Sequence, residues 1–301
     1  MAMELDQLEA FVAIVRRGGF TRAAAVLHLS QPAISRRIQL LEHEVAAPLF
    51  ERLPDGVRLS AAGSALLPHA EAVLAAMRDG AEAVRALRGE AHGPITLAIV
   101  GTLASTPLAR RLRRFRARHP AVDLQVRTAL STEVSALVLR GEAVLGLRYN
   151  RDPHPELVAT KVHDEQMVAI AAPDHPLAKR RRIAPRVLAA ERWLAFPPRA
   201  TPEPYSSAIA QGLAACGVTA TEIVPIDSLT AQKRMVEAGF GLALVPRSAV
   251  DEELRTGSLR VLHVPVLRVT TPVVLVYRRR GFQSGAVQAL RALLEAGIVG
   301  P

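Results

Sequence analysis

Residues 21–45 read TRAAAVLHLSQPAISRRIQLLEHEV, and this stretch decides the fold of the N-terminal region. Its alanine-rich part predicts a short helix over residues 22–27, capped by Thr21 and followed by a three-residue turn. Ser30 is a favourable N-cap for the next helix, and Pro32 is tolerated because the first N–H groups of a helix have no intrahelical partner. That helix carries an apolar stripe of Ile34, Ile38, Leu41 and Val45. Two short helices joined by a tight turn indicate a helix-turn-helix.

The face of the second helix opposite this stripe is polar and basic. Its members are Gln31, Pro32, Ser35, Arg36 and Gln39, with Arg37 on the flank. Glutamine pairs with adenine, arginine with guanine and serine with either base, while a basic residue on the flank neutralises phosphate. The face therefore predicts a helix that reads double-stranded DNA. The alternative interpretation is the solvated face of an ordinary helical bundle.

Two short apolar runs after this helix predict a β-hairpin. Residues 50–53 and 57–59 flank the turn signal Pro-Asp-Gly at 54–56. Such a hairpin forms a wing that can place Arg52 and Arg58 against the DNA backbone or in the minor groove.

A long helix is predicted from Ser60 towards Arg88. Residues recur along it in two rows of heptad spacing, formed by Leu66, Val73, Gly80 and Leu87, and by Ala70, Met77 and Val84. A seam of this length without a partner in its own small domain predicts a homodimer, and the alternative is that the helix folds back on the C-terminal region. Residues 89–94 are predicted to form a hinge-like linker.

From residue 95 onwards the pattern changes to alternating strands and helices. A first β-α-β-α-β set covers residues 95–148, a second set covers 167–245, and a strand at 273–277 and a helix at 283–294 close the chain. This pattern predicts two α/β lobes that hold a ligand between them at the carboxyl ends of their strands.

Composition and missing motifs exclude several classes of protein. The net charge of +10 does not favour DNA binding by the first 60 residues, because they carry seven basic and seven acidic residues. No phosphate-binding loop, nucleophile elbow or zinc-binding helix motif occurs, and the single cysteine, Cys216, cannot form an intramolecular disulfide. We therefore expect no catalytic residues, no metal and no cofactor. No apolar run is long enough to cross a membrane and the N-terminus is acidic, so a cytoplasmic protein is expected.

Several stretches of the chain resemble the LysR-type transcriptional regulators of bacteria. The most specific are LDQLEAFVAIVRRGGFTRAAAVLHLSQPAISRRIQLLEHEVAAPLFER, beginning at residue 5, and GVRLSAAG, beginning at residue 56; AAPDHPLA and MVEAGFGLALVP are weaker matches. The resemblance implies an α/β protein with an N-terminal, mainly helical winged helix-turn-helix over residues 1–60. It further implies a linker and dimerisation helix with a hinge over 61–93, and a two-lobed domain over 94–301 similar to periplasmic binding proteins. Lobe I would be residues 94–163 plus 265–301, and lobe II residues 164–264.

The resemblance also implies function and site residues. It implies a sequence-specific DNA-binding regulator controlled by a small-molecule effector, with dimers assembled into homotetramers and RNA polymerase as a further partner. The DNA contacts would be Gln31, Pro32, Ser35, Arg36, Arg37, Arg52 and Arg58. The effector contacts would be Thr102, Leu103, Ser105, Leu130, Ser131, Arg148, Phe196, Ser228 and Thr230. One departure is Val144, which stands where many members have an aspartate.

The residues of this expected site favour a small organic acid as effector. A helix beginning near Ser105 offers N–H groups and a favourable dipole to an anion, and Arg148 would add a guanidinium group. Leu103 and Phe196 would supply an apolar wall. The competing interpretation is a cytoplasmic two-lobed solute-binding protein or enzyme without a role in gene regulation. A peroxide sensor of the same family would need a thiol switch, for which Cys216 is the only thiol.

Overall fold

A computed structural model of the chain describes residues 3–53, 56–87, 94–197, 208–217, 219–267 and 269–297, without the side chains of residues 52, 53, 208 and 209. The chain forms two compact units. The first comprises Met1–Glu90 and Leu139–Glu142, and the second comprises Ala91–Val138 and Ala143–Pro301. The predicted hinge over residues 89–94 lies almost entirely outside the described residues.

The first unit is a winged helix-turn-helix followed by a long helix. Its elements are α1 (Leu5–Arg17), α2 (Phe20–Leu27), α3 (Gln31–Val45), β1 (Phe50–Leu53), β2 (Gly56–Leu59) and α4 (Ala61–Leu87). The strands β1 and β2 pair antiparallel. Phe11, Ile34 and Leu41 are fully buried in one core that also takes in Ala70 of α4. The start of α4 is therefore held by the winged motif rather than standing apart from it.

Local signals set the ends of these helices. Gly18 ends α1 in the left-handed conformation at φ 67°, where a residue without Cβ is favoured. The hydroxyl of Ser30 accepts from the backbone N–H of Ala33, as the sequence predicts. The prediction for α2 was wrong by two residues, because the helix begins at Phe20 with Gly19 as N-cap. The Phe20 ring packs edge-on against Phe50 at 5.7 Å between centroids, which draws the first turn of α2 into the core.

The second unit is a mixed α/β structure. Its helices are α5 (Thr106–Arg118), α6 (Ser131–Leu139), α7 (Ala208–Ala214), α8 (Leu229–Glu237), α9 (Asp251–Thr256) and α10 (Gly285–Glu295). Its strands are β3 (Ile95–Val100), β4 (Leu124–Ala129), β5 (Leu145–Tyr149), β6 (Leu157–Ala171), β7 (Arg192–Ala195), β8 (Glu222–Pro225), β9 (Leu242–Pro246), β10 (Arg260–Val261) and β11 (Val269–Arg278). Short 3₁₀ turns cover Gly101–Leu103, Pro176–Lys179, Pro185–Ala190 and Arg247–Ala249.

One sheet runs through this unit in the order β4-β3-β5-β11-β6-β9-β7-β8, with β10 beside β6. At one end of the sheet β3 pairs parallel with β4 and β5, and at the other end β7 pairs parallel with β8 and β9, as expected for β-α-β units. Between them lie the long strands β6 and β11, which pair antiparallel from Leu157–Arg278 to Met167–Val269. The sheet is therefore continuous across both predicted lobes.

The strand β6 is much longer than the sequence prediction, which began it at Met167. Residues 157–166 contain several polar side chains, and most of them are partly exposed in the structure. Because neither a continuous apolar run nor a clean alternation marks this half, pattern reading does not detect it. Helix α7 is likewise shorter than the predicted helix over 205–216, of which residues 205–207 lie outside the described part. No helix in the described part of the chain is both long and apolar enough to span a membrane.

Candidate DNA-binding and effector-binding sites

Helix α3 exposes most of its predicted DNA-reading face. Ile34 and Ile38 are buried in the core, whereas Gln31, Pro32 and Arg36 on the other side are exposed. Ser35 is half-buried, and its hydroxyl accepts from the side-chain amide of Gln31 at 3.0 Å. The structure therefore brings four of the predicted readers together on the first two turns of the helix.

Arg37 is held within its own unit. Its guanidinium lies 2.9 Å from the Asp6 carboxylate and donates to the Asp6 carbonyl at 3.4 Å. This pairing joins α3 to α1 and compensates part of the arginine charge, so Arg37 is less free for phosphate than Arg36.

The wing carries a second paired arginine. Arg58 lies opposite Glu51 in the hairpin, and the two side chains form an exposed ion pair at 2.7 Å. Arg52 of β1 lies opposite Val57 of β2, and the Arg52 side chain is outside the described part.

Helix α4 leaves much of the predicted heptad seam uncovered. Ala70 is buried in the core of the first unit, but Val73, Met77 and Val84 are 45, 52 and 51% exposed, and Leu87 is 89% exposed. An apolar stripe of this length on a single chain is typical of a helix whose partner is another molecule.

A cleft of about 700 Å³ lies in the second unit. The ends of β3 and β4 and the start of α5 form one wall, and the starts of α8 and α9 with the turn Arg247–Ala249 form the other. Strands and helices thus converge on the cleft where an α/β sheet is expected to bind its ligand.

Five of the predicted effector-binding residues line this cleft. They are Thr102, Ser105, Leu130, Phe196 and Thr230. The hydroxyl groups of Thr102 and Tyr149 share a 3.0 Å hydrogen bond. Burial of Tyr149 raises the pKa of its hydroxyl well above the usual value. Ser105 stands at the N-cap of α5 but makes no side-chain capping bond. The first N–H groups of this helix are consequently not capped by its hydroxyl.

Arg148 does not line the cleft. It is 7% exposed, and its guanidinium binds the Asp152 carboxylate, the Ser135 hydroxyl and, at 3.2 Å, the Tyr149 carbonyl. Burial by itself raises the pKa of Asp152, but hydrogen bonds from Ser135, His154 and Arg148 outweigh it and leave the pKa below its ordinary value. The guanidinium is thus committed to a buried ion pair.

Three other predicted residues also lie away from the described lining of the cleft. Leu103 and Ser131 are buried, at 3 and 1% exposure. The hydroxyl of Ser228 accepts from the backbone N–H of Ala231 and so caps α8. Leu103 and Ser131 are therefore buried within the unit, whereas Ser228 is exposed and its hydroxyl is used in the helix cap.

Sequence reasoning missed the charged residues of the cleft. Asp227, Lys233, Glu252 and Glu253 all contribute to its lining, together with Thr128 and Ser248. Lys233 lies one turn beyond Thr230 on α8, so helical spacing from Thr230 could have found it. Helix α9 is only six residues long and carries no periodic signal. In the described part of the chain, no group of three or more His, Cys, Asp or Glu side chains is placed to hold a metal ion.

Comparison with known proteins identifies the family. The profile described as bacterial regulatory helix-turn-helix protein, lysR family, matches residues 5–64, and the profile described as LysR substrate binding domain matches residues 88–298. The chain belongs to the LysR family. Members of this family are DNA-binding transcriptional regulators with an effector-binding domain, and the named relatives are regulators rather than enzymes.

Relatives cover nearly the whole chain. The RuBisCO operon transcriptional regulator of Allochromatium vinosum is 31% identical over 97% of this chain and 95% of its own length. The regulator BudR of Raoultella terrigena is 33% identical over 82% of this chain and 85% of its own. A full-length OxyR variant from Pseudomonas aeruginosa superposes with a TM-score of 0.70 at 20% identity, covering 99% of this chain and 95% of that one. Full-length CbnR in complex with its target DNA gives a TM-score of 0.64 at 24% identity, covering 97 and 98%. These last two structural similarities show that the chain shares the fold of those two proteins.

Proposed function

We propose that this LysR regulator reads its operator through the N-terminal half of α3. Gln31, Pro32, Ser35 and Arg36 would contact base edges, while Arg37, Arg52 and Arg58 contact phosphates. The exposure of α3 opposite its buried stripe supports this proposal. Since the first 60 residues carry no net charge, the placement of these few arginines must supply the attraction to DNA.

The regulator acts as a homodimer joined through α4. The exposed stripe of Val73, Met77, Val84 and Leu87 supports this, as does a groove of about 490 Å³ between α1, α2 and α4. Pairing of dimers into a homotetramer, and contact with RNA polymerase, are what membership of the family leads us to expect. A regulator of transcription acts at the chromosome, and we accordingly place it in the cytoplasm.

The effector is a small organic acid bound in the cleft. The single observation that carries this proposal is the start of α5, whose first turn borders the cleft without a capping bond from Ser105. Free N–H groups and the helix dipole favour an anion there, and Thr102 and Thr230 add hydroxyl donors. Phe196 and Leu130 supply apolar surface for the rest of the molecule.

Gel shift with the DNA upstream of the regulator's own gene tests the proposal. We expect retardation that weakens steeply with salt and changes in the presence of one member of a panel of organic acids. Retardation that is absent, or equal on random DNA, would contradict operator reading. A response to amines or sugars, with none to acids, would contradict the proposed class of effector.

A further inference from the structure

Lys233 is the one cationic side chain among the described residues that line the cleft. Its Nζ lies 2.6 Å from Glu253 Oε1 and donates to the Ala249 carbonyl at 3.0 Å. The side chains of Lys233 and Glu253 are only 16 and 7% exposed. The charge that could bind an acid is therefore already engaged by a carboxylate of the protein.

The charges of the cleft otherwise oppose an acid. Asp227 and Glu252 line it together with the Lys233–Glu253 pair, so the described lining carries three carboxylates and one ammonium group. Once Glu253 has neutralised Lys233, the charged side chains that remain in the described lining are both carboxylates, and the start of α5 is the part of the cleft that still favours an anion. A cationic side chain becomes available to an acid effector only when Lys233 is released from Glu253.

Glu253 is incompletely satisfied in its present position. Glu253 is only 6% exposed, and its buried Oε2 atom has no hydrogen-bond partner in the described part of the chain. A buried carboxylate oxygen without a donor keeps the cost of losing its water. Moving Glu253 into solvent recovers that cost, and a second carboxylate at Lys233 replaces the ion pair that is lost. The exchange of one carboxylate for another therefore keeps Lys233 paired and removes the unsatisfied oxygen from the interior.

Resting on the proposed function, we propose that Glu253 is an internal counter-ion of Lys233 that the carboxylate of the effector displaces. Glu253 belongs to the first turn of α9, which follows directly on the turn Arg247–Ala249. Lys233 holds the Ala249 carbonyl of that turn, and Glu165 of β6 accepts from the backbone N–H and hydroxyl of Ser248 at 3.2 and 2.7 Å. Displacement of Glu253 thus acts on a segment that is tied to one of the two long strands. The effector would switch the protein through this segment.

Glu253→Gln tests the displacement directly. The amide keeps the shape of the side chain but leaves Lys233 without a competing carboxylate. We expect the Kd for benzoate or succinate, measured by calorimetry at pH 7 and fixed salt, to fall about tenfold, which corresponds to about 1.4 kcal/mol. Glu252→Gln is the matched control, because it removes a carboxylate from the same cleft that does not pair with Lys233. Its effect should stay below about threefold, or about 0.7 kcal/mol.

The double variant Lys233→Gln with Glu253→Gln guards against a folding defect. It removes the pair without leaving a buried charge unpaired, so its melting temperature should stay near that of the wild type while binding of benzoate and succinate is lost. The displacement is overturned if benzoate and succinate bind Glu253→Gln and the wild type with equal affinity, or if they bind neither protein. If acids bind but respond to neither variant, this inference alone fails. If amines bind instead and acids do not, the proposed class of effector fails with it.

Discussion

Arg36 is an exposed side chain on the second turn of α3 that makes no contribution to the core of its unit. Arg36→Ala should therefore leave the fold unchanged and weaken operator binding by about 1–3 kcal/mol, with relaxed preference at one base pair in each half-site. Fluorescence anisotropy on operator and scrambled duplexes measures both effects. Arg58→Ala is the comparison, since a phosphate contact should weaken binding to the two duplexes alike. Equal losses for Arg36→Ala on both duplexes would place Arg36 among the phosphate contacts.

Asp152 is the counter-ion of the buried Arg148, so its removal concerns stability rather than binding. Asp152→Asn leaves the guanidinium buried without a negative partner, and we expect a loss of about 3 kcal/mol in the free energy of unfolding. Because the folded-state pKa of Asp152 is lowered from 3.8, its stabilisation is present above that pH and is lost as the pH falls below it. Urea unfolding between pH 3 and pH 7 should show a shallower acid decline for the variant. Identical acid declines would contradict this account.

Arg148 and Lys233 show where reading the sequence stops being sufficient. Arg148 follows an apolar run on β5, and only the three-dimensional positions of Asp152 and Ser135 reveal that its guanidinium is already bound. Lys233 lies on a helix whose start could be predicted, yet the side chains it meets come from α9 and from the turn before it. Asp152 is only four residues from Arg148 in the chain, but it follows the end of β5, so no helical or strand spacing predicts that the two side chains pair. Glu253 lies on a different helix from Lys233, and sequence patterns do not show which helices meet.

Helix α4 is the element whose exposed seam predicts assembly. Val73→Asp with Met77→Asp should leave the monomer folded, because both side chains are half exposed on the single chain, but should put charges into the dimer interface. We expect monomers by light scattering and much weaker operator binding, since two linked half-site contacts reinforce each other. Ala72→Asp is the control, as this exposed residue lies about 100° around the helix from Val73. A dimer that survives the first pair of changes would mean that the seam is not the interface.

The strands β6 and β7 differ in how well the sequence predicts them, for a reason visible in their surroundings. Trp193 and Leu194 of β7 are buried on both faces of the sheet, so a continuous apolar run marks the strand. The first half of β6 has mixed burial, so its side chains show no clear strand pattern. It is a strand because its backbone hydrogen-bonds to the long strand β11. The winged helix-turn-helix was predictable because caps, turn and stripe all agree within about 40 residues.

For the whole molecule, the proposed effector should connect the cleft with DNA binding. Thr102→Val with Thr230→Val removes two hydroxyl groups from the lining, and we expect the affinity for the effector acid to fall about tenfold or more, by up to about 1.5 kcal/mol for each lost bond. The change that the acid produces in the gel-shift pattern should then need a correspondingly higher concentration. Ser131→Ala serves as control, because Ser131 is buried outside the described lining and should leave the affinity unchanged. An unchanged acid response in the double variant would show that the cleft is not the effector site.

The pairing of β6 with β11 also bears on how such proteins diversify. Asp164 lies opposite Pro272, and Glu165 opposite Thr271, so the chain leaves for the second set of strands and returns from it at neighbouring positions. The residues between these two strands therefore form an insertion whose two ends lie side by side, an arrangement that proteins tolerate well. This segment holds Lys233 and Glu253, while Thr102 and the start of α5 remain in the host. We accordingly expect that exchanging this segment for that of a relative would change one wall of the cleft and leave the residues proposed to read DNA unaltered.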